Sequence, residues 1–166
     1  MIEPPSNPSR PAPEDPESSG PDAPPILVGW REWVAFPELG IDRIKAKIDT
    51  GARSSALHAH EIRYVRKGGR RYVRFKVYPV QKDDRTFVDA RGEWLEERKV
   101  RSSFGRVEVR PVIRTEVEMA GERWPIEVTL TRRDSMGFRL LLGRQALRGR
   151  CRVDPGASFL TGKTRP

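Results

Sequence analysis

The sequence predicts an all-β protein, a sheet closed or folded over on itself with almost no helix. Apolar residues recur at a period of two over long stretches, turn signals separate those stretches at short intervals, and only one short segment reads as helical. A sheet with one apolar face must bury it, and closing the sheet is the solution open to a chain this poor in helix.

The 166 residues suit one domain. Residues 1–25 are dominated by Pro, Ser, Glu and Asp and contain no aromatic residue. Such a segment cannot bury enough apolar surface to offset its ordering entropy. We therefore expect a disordered tail over 1–25 and a folded domain over 26–166. The tail has no basic start followed by an apolar core, so it does not read as a secretory signal.

Leu27 to Phe36 reads as a first strand, ended by Pro37. Arg43 to Ile48 sets Ile44, Ala46 and Ile48 against Arg43, Lys45 and Lys47, a strand with one buried face. Ala56 to Arg63 and Tyr72 to Tyr78 flank Lys67-Gly68-Gly69-Arg70, a hairpin turn. Residues 79–98 read as a polar, irregular excursion. From Val107 to Met119 the odd positions are mostly apolar and the even ones mostly charged. After Ala120-Gly121, Trp124, Ile126, Val128 and Leu130 resume the same period, completing a long hairpin. Leu140-Leu141-Leu142 is a short apolar strand, and Arg144 to Arg148, following Gly143, is the one short helix. Asp154-Pro155-Gly156 is a turn signal, and Asp134 after Arg132-Arg133 reads as a turn or ion-pair residue.

The net charge is +9. Glu3, Glu14, Asp15, Glu17 and Asp22 against Arg10 give the tail −4, so the remainder carries +13. That basicity suits an acidic partner such as nucleic acid, a ribosome or a Glu-rich peptide. No zinc knuckle, RNA-recognition aromatic pair or recognition helix is present, so nucleic acid is not the expected partner. No apolar run is long enough for a membrane-spanning helix. The single cysteine, Cys151, excludes an internal disulfide and fits a reducing, cytoplasmic setting. Its neighbours Arg150 and Arg152 would lower its pKa. A half-buried strand position is nevertheless its expected role, since neither histidine is near it in sequence.

The segment carrying chemistry is Ala46-Lys47-Ile48-Asp49-Thr50-Gly51-Ala52. It places a carboxylate at the end of an alternating strand. Gly51 permits a tight loop and close approach to a ligand, and the Thr50 hydroxyl can cross-link neighbouring backbone. An Asp-Thr-Gly triplet alone is most often only a turn. Here it is followed downstream by Leu141-Leu142-Gly143, and aspartic peptidases pair these two features, the second bracing the first. Their order and separation resemble a single retropepsin protomer. Between them, Val100-Arg101-Ser102-Ser103-Phe104-Gly105 resembles the flap that closes over substrate.

Gly29-Trp30-Arg31-Glu32, the run Lys45 to Ala59, Val100 to Gly105 and Arg110-Pro111-Val112-Ile113 carry a closer resemblance. With Arg133-Asp134-Ser135-Met136, Leu141 to Arg144 and Val153-Asp154-Pro155, they are similar to the family labelled "ATP-dependent zinc protease". That family is also described as retropepsin-like and is often associated with an ATP-grasp glutamate ligase that modifies a ribosomal protein. Arg132 departs from the asparagine found in many members. The resemblance implies a retropepsin-like closed barrel and an aspartic endopeptidase acting on a peptide or protein, with the ligase as a possible partner. Asp49, Thr50 and Gly51 would form the catalytic loop, and Ala52, Arg101, Ser102, Ser103 and Gly105 would meet substrate.

The residues supply little for zinc or ATP. Zinc sites need three or four ligands. The only histidines are His58 and His60, which at spacing two on a strand would share a face, and no His-Glu-x-x-His occurs. Nor is there a phosphate-cradling Gly-rich loop with lysine. No cofactor is expected. Aspartic peptidases need two carboxylates sharing a proton, and one Asp-Thr-Gly supplies half, so the expected enzyme is a homodimer. Ser54 and Ser55 lack a neighbouring base and are expected to hydrogen-bond the Asp49 loop, while Arg101, Arg110 and Arg144 are candidates for an acidic substrate. Trp30 and Trp33 are expected on opposite faces of the first strand, one of them available to a dimer surface. The alternative is a non-catalytic module that binds a peptide or a glutamate ligase.

Overall fold

Ile44, Ala46 and Ile48 are buried in the strand Ile41–Ile48, and the lysines between them point outward, as the alternation requires. The same rule builds most of the molecule. The computed structural model describes residues 23–102, 104–132 and 137–162. Its strands are β1 (Ile26–Val28), β2 (Arg31–Phe36), β3 (Ile41–Ile48), β4 (Ser55–His58), β5 (His60–Lys67) and β6 (Arg70–Val77). They continue with β7 (Val88–Arg101), β8 (Val107–Met119), β9 (Glu122–Thr131), β10 (Leu140–Leu142) and β11 (Cys151–Val153). The one α-helix among the described residues is α1 (Arg144–Leu147). The fold is all-β and retropepsin-like, as the sequence predicts.

Nine strands form one sheet in the order β2-β3-β10-β4-β9-β8-β7-β6-β5. A pairing of Ala35 in β2 with Glu118 in β8 closes the first six into a barrel, from which β7, β6 and β5 continue outward. The barrel is filled by Phe36, Ile44, Leu57, Met119, Leu130, Leu140 and Leu142, each fully buried and each contributing roughly 1.5–3 kcal/mol. Val73, Phe75, Val77 and Ala90 extend the same core beneath the outer strands.

Four readings of the sequence are corrected. Residues 79–98 are not an irregular excursion, because from Val88 they belong to the fourteen-residue β7. Its inward residues there are Ala90 and Gly92, and a Cβ at Gly92 would lie 2.8 Å from Ile113 Cδ1, so the buried positions are too small to show an apolar alternation. The first strand is two. At Gly29, where a Cβ would sit 2.2 Å from the Ala157 carbonyl oxygen, the chain leaves its parallel pairing with β11 and enters the barrel. Ala56 to Arg63 is likewise interrupted at Ala59, between β4 and the edge strand β5. In the long hairpin the expected alternation holds from Ile113 to Met119 but inverts at its start, where Val107 and Val109 are exposed and Arg110 is buried. The expected tail lies mostly outside the described residues, as do Arg133, Asp134, Ser135 and Met136.

Glu32, fully buried, ties the N-terminal segment to the C-terminal one. Its carboxylate accepts from the backbone N–H groups of Gly29 (2.7 Å), Leu160 (2.8 Å) and Thr161 (3.3 Å), and from the Thr161 hydroxyl (2.9 Å). Such charge-assisted bonds offset the cost of burying the charge. Trp30 and Trp33 are both half-buried. Trp30 meets Phe138 edge-on, whereas Trp33 stacks on Phe159 with the Arg43 guanidinium 3.8 Å from its ring centre. Trp124 is the buried indole, donating to the Ala146 carbonyl at 2.9 Å.

Candidate active site

β10 lies between β3 and β4, parallel to the first and antiparallel to the second. That placement assembles the candidate site, because the loop leaving β3 and the glycine ending β10 come side by side. Leu142 pairs with Ile48, and the Asp49 N–H donates to the Leu142 carbonyl at 2.9 Å. Within the loop, the Asp49 carboxylate accepts from the Gly51 N–H at 3.0 Å, and the Ala52 N–H donates to the Asp49 carbonyl at 3.3 Å. The carboxylate is thereby aimed by its own loop.

Gly143 closes the brace. A Cβ there would lie 2.5 Å from the Ser54 carbonyl oxygen, so only glycine allows the two chains this close. Its N–H donates to the Ser55 hydroxyl at 3.0 Å, so Ser55 holds the bracing strand and not, as expected from the sequence, the Asp49 loop itself. The N–H groups of Arg144 and Gln145, at the start of α1, donate to the carbonyls of Ala52 and Arg53. The Arg144 guanidinium donates to the Thr50 carbonyl at 3.0 Å. Arg144 thus braces the loop and does not line the cleft beside it.

That cleft has a volume of about 1120 Å³, and Asp49, Gly51 and Ala52 lie in its wall. Arg101 and Ser102, from the far end of β7, line it too. The hairpin tip is pinned where the Ser102 N–H donates to the Arg106 carbonyl and the Gly105 N–H to the Ser102 carbonyl. Gly105, with φ of +80°, shapes the tip without lining the cleft. Thr50 is exposed, and its hydroxyl makes no hydrogen bond among the described residues. Ser103 lies outside them.

The charge of the wall was not legible residue by residue. Among the described residues, Lys47, Arg53, Arg98, Lys99, Arg101 and Arg110 line the cleft against two carboxylates, Asp49 and Glu96. Reading β7 as irregular hid Arg98, Lys99 and Glu96. Glu96 is engaged by Arg98 at 2.6 Å, and Arg98 also holds Glu127 at 2.8 Å. Those two carboxylates keep the Arg98 guanidinium above its ordinary value, the hydrogen bond it donates to Glu127 contributing most. Arg110 is buried and paired with Glu108 at 3.0 Å. Cations in excess around the Asp49 carboxylate suit an acidic, extended ligand.

Two other candidates take different places. His58 and His60 fall on different strands, yet their Nε2 atoms meet at 2.8 Å, a hydrogen bond in which one ring donates and the other accepts. Among the described residues no third His, Cys, Asp or Glu joins them to make a metal-holding group. Cys151 is half-buried in β11. Burial pushes its thiol up to about 11, outweighing the lowering effect of Arg150 that the sequence suggests. No helix among the described residues is long and apolar enough to cross a membrane.

Comparison with known proteins agrees with this fold. A family model described as "Retropepsin-like aspartic endopeptidase RimB" matches residues 27–164. A protein of Parasynechococcus marenigrum named "Probable alpha-L-glutamate ligase" is 44% identical over 140 residues, covering 84% of this chain and 30% of its own length. One of Shewanella halifaxensis with the same name is 41% identical over 138 residues, covering 83% and 30%. The chain thus spans under a third of the length of these relatives. The crystal structure of Legionella pneumophila Lpg0085, titled as of unknown function (DUF785), superposes with a TM-score of 0.71 at 29% identity. That match covers 82% of this chain and 98% of the other.

Proposed function

Since the chain belongs to the RimB-like family of retropepsin-like aspartic endopeptidases, we propose that it hydrolyses peptide bonds as a homodimer, with one Asp49 contributed by each protomer. The observation that carries this reading is the Asp49 loop, braced through Gly143 and opening onto the cationic cleft. The only other carboxylate lining that cleft among the described residues, Glu96, is held by Arg98, so the second acid comes from the partner's Asp49 across a two-fold axis. Two like charges side by side cannot both ionise, so one carboxylate carries a proton. The ionised one takes a proton from water as the oxygen attacks the scissile carbonyl, and the protonated one donates to the carbonyl oxygen. Collapse of the tetrahedral intermediate breaks the C–N bond: the amine leaves with the proton that the first carboxylate took from water, and a hydroxyl of the intermediate returns its proton to the second. In this reading the exposed Thr50 hydroxyl bonds across the junction, and Gly51 keeps the loop open to substrate. The hairpin tip with Arg101, Ser102, Ser103 and Gly105 closes over it.

The cleft charge favours a Glu-rich peptide. That specificity fits a chain whose relatives carry a similar segment within longer proteins named for glutamate ligation, so a ligase is the expected partner. The test is cleavage of glutamate-containing peptides followed by mass spectrometry, alongside light scattering. The reading requires a dimer, products from wild type and none from Asp49→Asn of unchanged fold. A strict monomer that binds a ligase and cleaves nothing would establish the binding-module alternative instead.

A further inference from the structure

Away from the cleft, the outer strands carry a surface that the peptidase reading does not use. In antiparallel sheets, directly opposed residues share a face and like charges there repel. Arg63 of β5 lies opposite Arg74 of β6, which lies opposite Arg91 of β7, a row of three guanidinium groups across three strands. None has a carboxylate within ion-pairing distance among the described residues. Elsewhere the sheet obeys the rule, as in the row Glu93, Arg114, Glu127, where signs alternate. Charge on an edge strand guards against edge-to-edge pairing, which accounts for Arg63 alone. Arg74 and Arg91 sit on interior strands and need another reason.

Aromatic rings are interleaved with these cations. Two residues from Arg74 on the same face, Tyr72 lies beneath the Arg91 guanidinium, 4.8 Å from its ring centre. Two residues the other way, Lys76 stands 4.5 Å over the exposed ring of Phe87, although it is paired with Glu61 at 3.0 Å and opposed by Asp89, which leaves the arginine row as the open cations of this face. We propose that this β5–β6–β7 face binds single-stranded nucleic acid, the arginine row taking successive phosphates and the two rings receiving bases. Guanidinium forks match phosphate oxygens two at a time, and aromatic rings on a flat sheet are the platform that unpaired bases stack on. A protein partner would want an apolar centre, and a membrane would want apolar side chains to insert; beyond Tyr72 and Phe87 this face offers only the half-buried Val65, opposite Tyr72. The sequence carries no nucleic-acid motif because the row is made by strand register.

The test is fluorescence anisotropy of a labelled twelve-nucleotide oligo-uridine with the full chain across a salt series. Three phosphate contacts give a log–log salt slope of about −2. Arg63→Gln/Arg74→Gln/Arg91→Gln should weaken binding at least tenfold and remove most of that slope. It should melt no lower than wild type, since it relieves repulsion. The matched control Arg98→Gln/Lys99→Gln/Arg101→Gln removes equal charge from the cleft and should leave affinity within about twofold. Equal losses in the two triple variants would overturn the proposal as mere net charge. So would retention of affinity by the first, or an oligo-glutamate peptide or anionic vesicles binding this face more tightly than RNA.

Discussion

The β8–β9 and β5–β6 hairpins share a two-residue turn with positive φ, at Ala120-Gly121 in one and Gly68-Gly69 in the other, yet treat charge oppositely. Across β8–β9, Arg114 faces Glu127, Glu118 faces Arg123 with a 2.6 Å ion pair, and Ile113, Val117, Trp124 and Val128 are buried. Across β5–β6, Arg63 faces Arg74, Arg66 faces Arg71 and Lys67 faces Arg70, with a single ion pair among the described residues, Lys76 to Glu61 at 3.0 Å, over a β5 with no fully buried residue. The first hairpin belongs to the barrel that fixes the Asp49 loop, where each local choice favours stability. The second opposes like charges at a cost in stability and presents a cationic surface.

The largest effects therefore belong in the barrel. Leu142→Ala, beneath the Asp49 loop, should lower unfolding free energy by roughly 2–5 kcal/mol in denaturant melts. No substitution confined to β5 should approach that. Next comes Glu32→Ala, which strands several buried donors and should cost about 3 kcal/mol. It should also make residues 157–162 the first site of limited proteolysis, whereas Glu32→Gln should lose less.

A matched pair sharpens the contrast. Arg74→Glu places an opposite charge between Arg63 and Arg91 and should stabilise by roughly 0.5 kcal/mol. Arg114→Glu places a like charge between Glu93 and Glu127 and should destabilise by about as much, both read as shifts in melting midpoint. Equal signs for the two would remove the distinction between the hairpins.

The smallest effect concerns Cys151. A buried thiol with a raised value favours folding fully below its unfolded value, and that contribution fades as pH rises from about 9 to about 11. Thiol reagents at pH 8 should react at less than about one-tenth of the rate for free cysteine. Cys151→Ala should flatten the alkaline loss of stability.

The fold was legible wherever inward positions were large and apolar, as in Ile41–Ile48 and Ile113–Met119. It was illegible in β7, whose inward residues are Ala90 and Gly92, and at Gly29, where a close approach to Ala157 redirects the chain. The loop and its brace could be read because Asp49 and Gly143 sit in short motifs. The cationic wall could be read only at Arg101 and Arg110, since Lys47, Arg98 and Lys99 come from two stretches of strand and join them only once the barrel closes. The arginine row is likewise a product of register, invisible to any reading along the chain.

The central claim is that two Asp49 carboxylates from two protomers make one site. The direct measurement is peptide cleavage by a fixed amount of wild type co-refolded with increasing Asp49→Asn. If each site needs both carboxylates and subunits pair at random, a ninefold excess of the variant cuts activity to about one-tenth. Activity that stays constant across the titration would show that one chain suffices, and would contradict the account.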